Sequence, residues 1–60
     1  GLTKADRITL QQRLTARGFD TQGTDGVIGA NTEAAIRAYQ ASQGLPVTGT
    51  PSQALLQSLR

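Results

Sequence analysis

Apolar residues recur at helical spacing in three stretches of the chain, separated by loops rich in glycine. In "TKADRITLQQRLTARG", Leu10 and Leu14 share a face with Arg7 and Arg17 near its edges, which predicts a helix over about 4–17. Thr3 followed three residues later by Asp6 approximates a capping box, and Gly18 suits a left-handed stop. Arg13 and Arg17 fall where the negative end of the helix dipole favours cations, so their simplest role is helix stabilisation. The second pattern, "ANTEAAIRAYQASQG", places Ala35, Ile36 and Tyr39 on one face, widened by Ala38. It predicts a helix over about 30–43, with Gly29 or Ala30 near its N-cap and Gly44 as its end. The third, "TPSQALLQSLR", predicts a helix over about 50–59 in which Thr50 caps, Pro51 occupies the first turn and Gln53 closes a capping box. Leu55, Leu56 and Leu59 then face inward.

Between the first two helices lies "GFDTQGTDGVIG", whose Phe19, Val27 and Ile28 are expected to plug the core. Asp25-Gly26 is a tight-turn signal, since glycine supplies a positive φ and the aspartate can accept from the backbone beyond it. In the later link "LPVTG", Pro46 keeps Leu45 from continuing the helix. Set against itself at an offset of twenty positions, "VIGANTEAAIRAY" lies over "VTGTPSQALLQSL". The expected fold is therefore all-α: one small three-helix bundle over residues 1–60 with an internal pseudo-twofold repeat sharing the central helix.

Composition narrows the chemistry. Sixty residues lie near the lower limit for a core without disulfides or metal. The chain has no cysteine and no histidine, which excludes disulfides, the usual zinc sites and nucleophile pairs that need either residue. No metal and no cofactor are expected. No apolar run is long enough for a membrane span or a signal-peptide core. The opening "GLTK", without an initiator methionine, suggests a module of a larger protein. The net charge of +2 resides before residue 24, where Lys4, Arg7, Arg13 and Arg17 outnumber Asp6 and Asp20. That is far weaker than the basic stripe of a nucleic-acid binder, and the third helix offers a single arginine at its end, so no nucleic-acid partner is expected.

The ordered set Leu10-Gln11, Leu14, Gly18-Phe19, Asp25-Gly26, Ile28-Gly29, Thr32, Ala35-Ile36, Tyr39-Gln40, Gly44-Leu45, Gly49, Ser52, Leu56 and Leu59 resembles the peptidoglycan-binding domain found beside many bacterial cell-wall enzymes. The tail "QGLPVTGTPSQALLQSL" is further similar to the C-terminal module of lytic murein transglycosylases of the membrane-bound B type. Two departures stand out: Val47-Thr48 where the second repeat often has Asp-Gly before its glycine, and Arg7 where relatives often carry an apolar residue. The first points to the first repeat's turn as the place for binding chemistry.

The resemblance implies a noncatalytic module that binds peptidoglycan, by glycan strand or stem peptide, and tethers an attached catalytic domain to the wall. The expected setting is the periplasm or cell envelope, as a monomer without membrane insertion. The residues agree with a binding role, because the only carboxylates are Asp6, Asp20, Asp25 and Glu33, and Asp6 and Glu33 fall in first helical turns where the dipole alone accounts for them. The candidate ligand-binding residues are Asp25, Gly26, Ile28, Gly29, Asn31, Thr32, Arg37, Tyr39 and Gln40. Asp25, Gly26 and Gly29 serve equally as turn formers, or their bare N–H groups could meet a ligand carboxylate at the helix start. Tyr39 is either core or a groove edge, Asn31 and Gln40 suit amides and sugar hydroxyls, and Arg37 could pair a stem carboxylate or Glu33 one turn away. An alternative function keeps the fold but replaces the ligand: a helical module that docks on its parent enzyme or another protein.

Overall fold

A computed structural model of the chain describes residues 1–60 and contains three helices, α1 (Lys4–Ala16), α2 (Ala30–Ser42) and α3 (Gln53–Ser58). Local chemistry sets their ends. Thr3 caps α1 by accepting from the Asp6 N–H, while the Asp6 carboxylate accepts from the Thr3 N–H, a complete capping box. Helices α1 and α2 both stop in a Schellman motif. Gly18 and Gly44 turn left-handed at φ 90° and 68°, and the next residues, Phe19 and Leu45, return their N–H groups to Leu14 and Gln40, each at 2.9 Å.

The helices close around Leu10, Leu14, Ala35, Ile36, Tyr39, Leu55 and Leu59, with Leu2, Phe19 and Leu56 packed against them. Phe19 meets Tyr39 edge to face at 5.7 Å, and the Tyr39 hydroxyl donates to the Ser58 carbonyl at 3.0 Å, joining α2 to α3. Ala38 is exposed and does not widen this face.

The structure corrects the start of α3 and the placing of the valines. The cap of α3 is Ser52, whose hydroxyl accepts from the Leu55 N–H at 3.1 Å, so Thr50 and Pro51 precede the helix. Thr50 is instead tied into a turn, its N–H donated to the Thr48 hydroxyl. Val27 is 67% exposed and is no plug, and Val47, which the twenty-position repeat sets opposite it, is likewise 54% exposed. The loops are held through their peptide groups by two buried glutamines, Gln11 and Gln40.

This also resets the repeat. Gly26 and Gly49 are both buried and left-handed, at φ 84° and 70°, whereas Gly29 is an extended N-cap residue at φ −112°. An offset of 23 positions, not twenty, overlays Gly26 on Gly49, the caps Gly29 on Ser52, and the core residues Ile36 on Leu59. Asp25 then matches Thr48, and each accepts from the N–H two residues on.

Two outcomes follow from these caps. Ser52→Ala should destabilise the chain by about 1 kcal/mol and Thr50→Ala by only a few tenths, read by urea denaturation. Hydrogen bonding from the Thr3 N–H, foremost, holds the Asp6 carboxyl below its ordinary 3.8. The stabilisation is therefore present above that value and is lost as pH falls through the lowered one. Asp6→Asn should lower stability at neutral pH and flatten the acid limb of a thermal-stability profile.

Candidate functional site

Gln11 builds the first groove. It is 1% exposed on the inner face of α1, where its Oε1 accepts from the Gly26 N–H at 2.8 Å and its Nε2 donates to the Val27 carbonyl at 2.9 Å and to Thr32 Oγ1 at 3.1 Å. One side chain thus fastens the Asp25-Gly26 turn to the first turn of α2. Arg7 reinforces it from the other side, donating from Nε to the Gly26 carbonyl at 2.7 Å and from Nη1 to the Leu2 carbonyl at 2.9 Å. The departure at position 7 is therefore structural, binding the start of the chain to the turn.

Beside this joint lies a groove of about 220 Å³. Its wall from the loop includes Thr21, Gln22, Gly23, Asp25 and Val27, and its wall from the helix start includes Gly29, Ala30, Asn31 and Thr32, with Gln11 reaching the floor. Thr21 is buried, held by Thr15 and by the Gly23 carbonyl, and shapes the loop wall. Helix α2 has no side-chain cap. Its first intrahelical donor is the Glu33 N–H, bonded to the Gly29 carbonyl, which leaves the preceding N–H groups of the first turn without protein acceptors at the groove.

The nine candidates divide by this geometry. Asp25, Gly29, Asn31 and Thr32 line the groove together. Gly26 lies beneath it with its N–H bonded to Gln11 and its carbonyl to Arg7, so it offers no bare N–H to a carboxylate. Ile28 is half-buried between the turn and α2. Arg37, Tyr39 and Gln40 are elsewhere. Arg37 lies along Gly49, its Nη1 only 2.7 Å from where a Cβ would sit on that glycine. Tyr39 is core, 4% exposed with its hydroxyl engaged by Ser58. Gln40 is 6% exposed and repeats the work of Gln11, its Oε1 accepting from the Thr48 and Gly49 N–H groups at 2.9 and 3.0 Å.

Gln40 borders a second, larger groove of about 560 Å³, formed with Leu45, Pro46, Thr48, Ala54 and Leu55. Its accessible surface is mainly apolar, and the exposed side chain of Leu45 forms part of it. The residue pattern does not reveal this groove, because Leu45 and Pro46 read as a helix stop and link and Leu55 as core, nor the role of Gln11, which enters only as part of the Leu10-Gln11 motif. The signal is its place three residues before Leu14, on the buried side of α1.

Three helices with capped turns and a polar notch at the mouth of the central one define a small all-α module. The chain belongs to the peptidoglycan-binding family: the family described as "Putative peptidoglycan binding domain" matches residues 3–59. It is 47% identical over 49 residues to a spore cortex-lytic enzyme of Bacillus cereus, covering 82% of this chain and 19% of that protein. It also matches SltB3 from Pseudomonas aeruginosa, in crystal structures with NAG-NAM-pentapeptide and with NAG-anhNAM-pentapeptide. Both give a TM-score of 0.96 and 52% identity over 100% of this chain and 16% of theirs. The chain thus spans less than a fifth of the length of each of these relatives.

The glycines at and beneath the groove should separate by role. Gly26→Ala forces a left-handed alanine whose Cβ would lie 3.0 Å from the Lys4 side chain. It should cost roughly 2 kcal/mol or more by thermal denaturation. Gly23→Ala, with open space around it and no positive φ, should stay within about 0.5 kcal/mol of the parent chain.

Proposed function

We propose that the chain is a noncatalytic peptidoglycan-binding module that tethers an attached wall-degrading enzyme, a lytic transglycosylase or another wall hydrolase, to its substrate in the periplasm or cell envelope. Tethering raises the local concentration of substrate around the catalytic domain even when a single module binds weakly. The observation that carries the reading is the polar groove, in a chain of this family, between the Asp25 turn and the uncapped start of α2. The carboxylates support a binding role over catalysis. Asp6, Asp20 and Asp25 each hold a nearby backbone N–H in a cap or turn.

The proposed contact residues are Asp25, Gly29, Asn31 and Thr32, with Gly26 and Ile28 shaping the turn beneath them. Arg37, Tyr39 and Gln40 serve packing and the second turn. A second reading, docking on the parent enzyme, is favoured by the apolar groove lined by Leu45, Pro46 and Leu55.

Sedimentation with protein-free sacculi tests both. The isolated chain should pellet with the wall, and retention in the supernatant together with binding to the catalytic domain would support docking instead. Gly29→Ser gives a sharper check. A serine hydroxyl at this N-cap can accept from the Asn31 or Thr32 N–H, so the variant should gain a few tenths of a kcal/mol in stability while its pelleting falls several-fold.

A further inference from the structure

The hydrogen-bond polarity of the first groove is fixed by Gln11. Its amide has only one possible orientation, because the oxygen faces a backbone N–H, that of Gly26, and the nitrogen faces a backbone carbonyl, that of Val27. The same nitrogen faces Thr32 Oγ1 at 3.1 Å, so Thr32 must accept there. Its own hydroxyl proton remains to be donated. Ser42 and Ser58, elsewhere on the helices, return theirs to the carbonyls three residues back at 2.7 Å each, whereas Thr32 makes no such bond. Thr32 is 2% exposed and forms part of the groove, so this donor is held at the floor.

Across the groove, Asp25 uses Oδ1 to accept from the Val27 N–H at 2.9 Å. Its second oxygen, Oδ2, has no protein donor. Asp25 is the one charged residue of the lining, and its charge disfavours a carboxylate ligand in so small a space. A fixed donor and a fixed acceptor facing one groove instead match a neutral group carrying both an acceptor and an N–H.

We propose that this groove reads a secondary amide, with the Thr32 hydroxyl taking its carbonyl oxygen and Asp25 Oδ2 its N–H, and that Gln11 is the positioning residue that sets this polarity. The inference rests on the peptidoglycan-binding reading. Such amides occur both in the acetamido groups of the glycan and in the backbone of the stem peptide. Phe19 and Tyr39 are the only aromatic residues and pack on each other, so ring stacking on a sugar plays no part in the groove.

A chemical-shift titration of the chain decides it with three neutral or near-neutral probes: an N-acetylglucosamine tetramer, a stem pentapeptide without sugar, and cellotetraose, which has hydroxyls in place of acetamido groups. The acetylated sugar, the peptide or both should shift the Asn31 and Thr32 amides, which identifies the source, and cellotetraose should not. Thr32→Ser should bind like the parent chain, whereas Thr32→Val should bind about tenfold more weakly with its Gly26 amide resonance unmoved, the sign that the fold is intact. Gln11→Glu turns an acceptor toward Thr32, drawing its proton inward, and also sets an oxygen against the Val27 carbonyl; it should lose binding too, with the Gly26 resonance reporting whether the turn survives the loss of the Val27 bond. The inference is overturned if folded Thr32→Val binds within twofold of the parent chain, if cellotetraose binds as well as the acetylated sugar, or if no probe shifts the groove although sacculi pellet the chain. Failure to pellet overturns the peptidoglycan reading itself, and this inference with it.

Discussion

The fold turns on a buried amide that two backbone groups hold in one orientation. Gln11 is enclosed by the core, yet every polar atom of its side chain is engaged by the loop between α1 and α2. In a chain this short there is too little apolar surface to pin a loop by side-chain burial alone. A fully satisfied polar peg does it instead, because burying an amide without partners would cost more than the loop's freedom is worth. Removing the peg would release the Gly26 turn and the start of α2 together.

The same device occurs twice. Gln40 holds the Thr48-Gly49 turn as Gln11 holds the Asp25-Gly26 turn, and in both cases a left-handed glycine follows a residue whose side chain accepts from the N–H two positions on. The surroundings diverge. The first turn opens a polar groove onto an uncapped helix, and the second faces an apolar groove onto a helix already capped by Ser52. One scaffold unit thus carries two surfaces of different chemistry.

Much of this was legible in the residue pattern. The Thr3–Asp6 box, the stops at Gly18 and Gly44, and the inward faces of α1 and α2 follow from spacing and cap chemistry, and the structure reproduces them. Two features were misread for one reason. Val27 is hydrophobic and flanked by a glycine, which favours burial, but the loop is bonded through its carbonyls and N–H groups and leaves that side chain outside. The twenty-position repeat overlays Val27 on Val47 and so slips by three positions from the register of the turns. At the candidate site, Asp25, Gly29, Asn31 and Thr32 were within reach of motif reasoning; Gln11 stood in the same motif, but its role was not legible, since its partners are all distant in sequence.

Fastening a loop by its main chain has a consequence for variation. The peptide groups of Gly26 and Val27 are fixed whatever side chain stands at position 27, because the bonds that hold them contain no atom of that side chain. The rim of the groove can therefore change its character, from aliphatic to polar or aromatic, while its floor keeps the same shape. The frame thus separates what the edge presents from how the chain folds.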